Sequence, residues 1–212
     1  MPTIEQARSW YTDEDPVHDF DHILRVYRMA EKLAVLENAD IEIVQAAALL
    51  HDASGSSQHD AEKRSKHQHA SAEFAGEVLN AEAWSSDRIE KVQHCIRAHR
   101  FRDNSETPQT IEAKIIFDAD KLDAIGAVGI ARVIAFSART PRPFYSAPSE
   151  QFLKSGVLED GELHTSYHEH LFKLSRIKDR MLTASGRKIA EERHQYLDEF
   201  FQRLIAEWNG EK

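Results

Sequence analysis

The sequence predicts an all-α fold, a helical bundle, and three observations carry the prediction. Apolar residues recur three and four positions apart through successive segments, no run alternates β-branched and polar residues between hairpin turns, and proline gathers in one late stretch. From Val17 to Leu36, the residues Phe20, Leu24, Tyr27, Ala30 and Ala34 share one helical stripe, and Val26, Met29, Leu33 and Leu36 share its neighbour. A helix apolar over so wide an arc belongs in the core. The segment IEIVQAAALL, residues 41–50, is a short apolar helix with Asp40 as its N-cap, and it ends at His51-Asp52. Residues 53–66 are small and polar and read as a loop, with a helix resuming near His69. Ser86 or Asp87 caps the next helix, which runs to about Arg100.

Ile111 to Ala138 reads as one long apolar helix containing Gly126 and Gly129, which permit a close neighbour at a cost in helix propensity. Residues 139–161 hold Pro141, Pro143, Pro148, Gly156 and Gly161 and read as a long binding loop or lid. Two C-terminal helices follow within 163–208, Tyr167–Leu182 and Lys188–Trp208, divided by Ser185-Gly186. The last carries Ile189, Tyr196, Phe200, Leu204 and Trp208 on one stripe. The chain of 212 residues fits a single domain, 1–212.

Composition narrows the function classes. With 27 Lys and Arg against 36 Asp and Glu, a net charge of −9 works against sequence-independent binding of a nucleic acid polymer, which needs many cations against phosphates. A small anion needs only local positive charge. No apolar run reaches the roughly 20 residues of a bilayer span, and the acidic N-terminal segment lacks the pattern of a secretory signal. No membrane partner is expected. Cys95, the single cysteine, makes no internal bridge, so a reducing compartment, the cytoplasm, is the expectation.

Hydrolysis at phosphorus is helped most by a metal ion, which needs fixed imidazole and carboxylate ligands. His22 continues the stripe of Val26, Met29 and Leu33, so it faces inward; taken alone it reads as a buried core histidine with one hydrogen bond, and only the other candidates make it a ligand. His51 and Asp52 end the apolar helix, where both can turn toward one point, and an acid buried directly after two leucines needs a partner. Asp118, Asp120 and Asp123 fall within an otherwise apolar helix. They either serve a site or cap turns and pair with Lys114 and Lys121.

His22, then His51-Asp52, then Asp120 within DADKLDAIGAVGIAR, match in order the H…HD…D signature of the HD-domain metal-dependent phosphohydrolases. The C-terminal stretch from Lys173 to Trp208 also resembles small stand-alone members, some of which are nucleotide pyrophosphohydrolases. The resemblance implies an all-α HD-domain bundle with one divalent cation at its centre, held by His22, His51, Asp52 and Asp120. Two imidazoles and two carboxylates suit Mn, Fe, Co, Ni or Zn, and Mg less well. Manganese is favoured, largely through the family. In this reading Asp52 is the catalytic residue, orienting the attacking water or accepting its proton.

Further histidines, His67, His69, His94 and His99, lie between the HD pair and Asp120. Paired adjacent histidines, frequent in two-metal HD sites, are absent, which favours one ion. His94 and His99 with Arg97, Arg100 and Arg102 form the most basic stretch of the chain, able to recruit phosphates or to serve as a solvated helix end. His99, Arg97, Arg100 and Lys121 are the substrate-binding candidates, although Lys121 could instead neutralise Asp118. His164, His168 and His170 read as surface, and Cys95 as a buried small hydrophobe and not a nucleophile.

The expected activity is hydrolysis of a small nucleotide, with (deoxy)nucleoside triphosphate cleaved to monophosphate and pyrophosphate. The alternatives are a phosphomonoesterase or cyclic-nucleotide phosphodiesterase on the same site, or a metal- or nucleotide-binding sensor without turnover. A monomer or homodimer fits.

Overall fold

The computed structural model of the protein describes residues 1–11, 20–54, 61–100, 106–139 and 143–212, with backbone alone at 61–66. The expected helix start at Val17, the middle of the polar stretch 53–66, Arg102 and Pro141 lie outside the described residues. The chain divides into two compact units: Met1–Lys121 with Leu182–Gly186, and Leu122–Met181 with Arg187–Lys212. Among the described residues all regular structure is helical, and no helix is long and apolar enough to cross a membrane.

The first unit is built around a buried helix. Helix α1 (Ile4–Arg8) opens with a capping box between Thr3 and Gln6. Next come α2 (Phe20–Glu37), α3 (Ile41–Leu50), α4 (Ala61–Ala81), α5 (Ser86–Ala98) and α6 (Ile111–Leu122). Helices α1, α2, α4 and α5 all contact α3. That position follows from the sequence of α3, in which Ile43, Val44, Ala46, Ala47, Ala48, Leu49 and Leu50 are all buried. The three alanines let neighbouring backbones approach, and each fully buried Leu or Ile contributes about 1.5–3 kcal/mol. Asp40 accepts the amides of Glu42 and Ile43 as the N-cap, and Arg88 of α5 grips the same carboxylate at 2.9 and 3.2 Å. One side chain thus both starts α3 and ties it to α5.

Several boundaries differ from the sequence reading. Helix α4 begins at Ala61, because a polar helix lacks the apolar stripe by which a start is read. The cap of α5 is Ser85, one residue ahead of the two candidates. The long apolar segment breaks at residue 123 and resumes as α7 (Gly126–Ala138). Gly126 adopts φ +74°, which only glycine does cheaply. At Gly129 an added Cβ would lie 2.2 Å from the Ala124 carbonyl oxygen. The two glycines therefore build a corner, and not merely a close contact.

The second unit holds α7, α8 (Glu150–Ser155), α9 (Ser166–Phe172), two 3₁₀ turns at Leu174–Arg176 and Lys178–Arg180, and α10 (Ala184–Trp208) after its first turn. The expected loop 139–161 is shortened by α8, and the expected helix 167–182 is one short helix and two tight turns. Glu162 clasps this region by accepting from the Ser149 amide and hydroxyl, the Glu159 amide and His168 Nε2. His168 and His170 are buried, contrary to the surface reading, while His164 is partly exposed. His170 stacks on Phe201 and pairs with Asp198. The buried face of α10 is Ala190, Leu197 and Phe201, and Tyr196 and Trp208 of the expected stripe are about half exposed.

Ser185 and Gly186 lie inside α10 and do not divide two helices, because Thr183 starts the helix ahead of them. Its hydroxyl accepts from the Gly186 amide at 2.9 Å. Buried Asp118 of α6 in turn accepts from the Leu182 amide, the Thr183 amide and the Thr183 hydroxyl at 2.7–2.8 Å. A Cβ on Gly186 would sit 2.3 Å from Asp118 Oδ2 and 2.7 Å from Thr183 Oγ1. Gly186→Ala is therefore expected to destabilise the protein by about 1–3 kcal/mol, the usual cost of overpacking, as read by urea denaturation.

Candidate metal centre

The end of α3 is where chemistry begins. A helix leaves its last carbonyls without intrahelical partners, and here the side chain that follows answers one of them. His51, at the C-cap, donates from Nδ1 to the Ala48 carbonyl at 2.9 Å. The neutral ring therefore carries its proton on Nδ1 and leaves the Nε2 lone pair free. That Nε2 is buried and without a hydrogen-bond partner. His99 repeats the device at the C-cap of α5, with Nδ1 donating to the Ile96 carbonyl at 2.6 Å.

Asp52 sits where these rings point. Its Oδ2 lies 3.7 Å from His51 Nε2, and its Oδ1 lies 3.4 Å from His99 Nε2 and 2.9 Å from His67 Nε2. His22 of α2 is buried beside this group, with ring centroids 5.7 Å from His51. Its Nε2 faces Asp120 Oδ1 of α6 at 3.5 Å, and Asp120 Oδ2 is held by Lys121 at 2.6 Å. Burial works to raise the Asp52 pKa, but the imidazoles of His51, His67 and His99 packed around the carboxylate hold it well below the usual carboxylate range. Burial is likewise outweighed at Asp120, chiefly by Lys121 and then His22. Burial pushes the His99 ring below the ordinary imidazole value, against the pull of Asp52. The centre therefore holds two ionised carboxylates and, at His99, a ring whose burial favours the neutral form.

His67 differs from the other rings. Arg100 can only donate, and its guanidinium lies 2.9 Å from His67 Nδ1. The neutral ring must then carry its proton on Nε2, directed at Asp52. His51 and His99 present lone pairs to the carboxylate, whereas His67 presents a hydrogen.

Lone pairs facing carboxylate oxygens at 3.4 and 3.7 Å repel unless a cation lies among them. His22, His51 and Asp52 offer ligand atoms within 4.8 Å of one another, as do Asp52, His67 and His99. With the orphaned Nε2 of His51, the residues fit a divalent ion. Asp120 lies in neither group and approaches the first through His22 alone, at 3.5 Å. The second group could accept an ion only if Arg100 released His67.

The other expected site residues fall in different places. His99 enters the cluster beside Asp52, and Arg100 reaches it through His67. Arg97 is committed to Glu106 and Glu90, each at 2.6 Å, and His94 to Glu106 and the Gln109 amide. Much of the basic stretch is thus already neutralised. Lys121 pairs with Asp120 and not Asp118, and lies over the Phe117 ring. His69 is exposed. Cys95 is buried with its thiol pushed up by desolvation, as suits a hydrophobe. Sequence reasoning missed the pairing of His67 with Asp52; its signal would have been an earlier start to α4, which turns the loop histidine into a helical one.

A family model described as HD domain matches residues 19–125, which spans His22, the HD pair and Asp120. The chain belongs to the HD domain family. It is a metal-dependent phosphohydrolase of that superfamily. Its similarity to the uncharacterized protein YpgQ of Bacillus subtilis strain 168 is 34% identity, covering 99% of this chain and 96% of YpgQ. The crystal structure of Bacillus subtilis YpgQ in complex with ADP superposes with a TM-score of 0.73 at 32% identity, covering 97% of each chain. An HD-superfamily hydrolase from Bacillus thuringiensis gives a TM-score of 0.71 at 28% identity, covering 97% of this chain and 96% of the other.

Because ligands must shed protons to bind a metal, affinity of this HD centre should fall with acidity. Asp52 and Asp120 stay ionised far into acid, so the imidazoles are the competitors, ordinarily below a pKa of about 6.5. Chelator competition from pH 7.5 down to 5.5 is expected to show a loss approaching tenfold per pH unit for each ligand proton once the rings charge. A flat profile would mean that the rings are not ligands.

Proposed function

We propose that this chain hydrolyses a (deoxy)nucleoside triphosphate to monophosphate and pyrophosphate at one divalent ion held by His22, His51, Asp52 and Asp120. Manganese is the favoured ion. The observation that carries the metal reading is the buried, partnerless Nε2 of His51 aimed at Asp52. The nucleotide reading is supported by the ADP bound to the Bacillus subtilis relative.

When bound, the ion would supply Lewis-acid polarisation of a phosphoryl oxygen and a water acidic enough to attack at neutral pH. The chain's own residues do the rest. Asp52, ionised because its neighbours stabilise the anion, accepts a hydrogen bond from the attacking water and aligns it. It is too weak a base to be the final proton acceptor. His67 directs its Nε2–H at the same oxygen of Asp52, and so fixes which lone pairs remain for water. We assign Arg100, which reaches the centre through His67, and Lys121, beside Asp120, to the phosphates. Water adds to the α-phosphorus, the bond to the bridging oxygen breaks, pyrophosphate leaves with that oxygen, and the proton given up by the water passes to solvent.

The test is a panel of nucleoside tri-, di-, mono- and cyclic phosphates with Mn²⁺, read by ³¹P NMR. Monophosphate with pyrophosphate is the expected product pair; release of orthophosphate from monophosphates, or opening of a cyclic phosphate, would reassign the reaction on the same site. Nucleotide binding with no turnover of any member would make the chain a sensor. Asp52→Ala is expected to abolish hydrolysis and metal retention with helix content kept by circular dichroism. Arg100→Gln should raise KM by roughly ten- to a hundred-fold, since a charge-assisted phosphate contact is worth about 1.5–3 kcal/mol. An unchanged KM would remove Arg100 from the substrate.

A further inference from the structure

The last carbonyls of α3 are satisfied one by one. Ala48 O takes the His51 ring, and Leu50 O takes the Ala53 amide at 3.2 Å. Leu49 O, between them, takes a hydroxyl from outside the helix. Tyr11 donates to it at 2.8 Å across 38 residues of sequence. We propose that Tyr11 is a positioning residue of the metal centre: its hydroxyl closes the C-terminal end of α3 and thereby sets the turn that aims His51 and Asp52. The inference rests on the metal reading of the site.

Three further observations support it. The Tyr11 ring is fixed where it stands, tilted against Phe20 at 5.7 Å and packed beside Ala7, Ile23 and Leu49. Trp10 meets Phe74 of α4 edge-on at 5.5 Å, so the residue before it is anchored independently. Burial, and behind it the Asp52 carboxylate, push the Tyr11 phenol well above its ordinary value, while the Asp52 amide pulls the other way. The hydroxyl is thus a permanent donor lying within the electrostatic reach of Asp52 and its amide. A phenylalanine would keep the packing and leave the Leu49 carbonyl, directly before the Leu50-His51-Asp52 turn, without its partner. Only one atom separates the two cases.

The distinction is testable because packing and positioning predict different readouts. In Tyr11→Phe, the metal dissociation constant from chelator competition is expected to rise by roughly tenfold or more, the usual effect of removing a group that orients ligands. In the loaded enzyme kcat should fall with KM unchanged, since no substrate contact is lost. Hydrogen exchange in the metal-free protein should quicken at residues 50–53 and not elsewhere. Trp10→Phe, which trims packing of the same segment but keeps the Tyr11 hydroxyl for the Leu49 carbonyl, should leave all three near the native values. Native metal affinity, kcat and exchange in Tyr11→Phe would overturn the proposal, as would an equal loss in Trp10→Phe. Should the unaltered protein take up no metal, the metal reading itself fails. The exchange comparison on the metal-free protein then still decides whether Tyr11 holds the turn, and unchanged exchange overturns that as well.

Discussion

Everything at the centre depends on how two helices end. A helix terminus buried in protein has carbonyls that need donors, and an imidazole placed at the C-cap supplies one from its Nδ1. His51 and His99 both do so, toward Ala48 and Ile96. The same hydrogen bond that terminates each helix decides which nitrogen carries the proton, and leaves the other nitrogen of each ring facing Asp52. Backbone satisfaction and ligand preparation are one interaction. Replacing either histidine removes both, so an effect on stability and an effect on the metal are expected to travel together at these positions, unlike at Asp52.

The carboxylates of the α6 region show how closely sequence neighbours can differ in role. Asp118 faces Leu182 and Thr183 and fixes the start of α10. Asp120, half a turn on, faces His22. Asp123, beyond the end of the helix, pairs with Arg132 at 2.6 Å. The spacing of about 100° per residue sends the first two to different faces. Asp118 thus secures the backbone on which Asp120 is carried, and Lys121 holds one of the Asp120 oxygens while the other is directed at His22.

The fold class was legible from periodicity, and the meeting of His22 with His51-Asp52 was legible because it rests on histidines and an acid set among apolar neighbours. His22 on its stripe and His51-Asp52 after Leu49-Leu50 are such cases. Boundaries set by polar interactions were not legible. Helix α4 begins in a polar run, and Thr183 caps α10 through a hydroxyl and an acid 65 residues away. The corner at residues 123–126 depends on a positive φ that a glycine permits but does not announce. Nor did the sequence disclose that Arg97 would be neutralised by Glu90 and Glu106, since ion pairing on a surface follows from geometry and not from spacing. The basic stretch looked like one patch because pairing partners are invisible in a charge count.

The arrangement around Arg100 bears on how many cations the proposed site takes. Asp52, His67 and His99 are close enough to ligate an ion, but His67 would have to present a lone pair from Nε2. It cannot do so while Arg100 donates to its Nδ1, because the neutral ring has one proton and that bond places it on Nε2. Two occupants therefore compete for His67, a second metal or the guanidinium of Arg100, which lies 2.9 Å from its Nδ1. If a phosphate draws Arg100 away, the proton of His67 is free to move to Nδ1 and the constraint on Nε2 lifts. Substrate would then favour a second ion at the same moment that it took up the arginine, so an affinity for added metal measured without nucleotide would report the one-ion state.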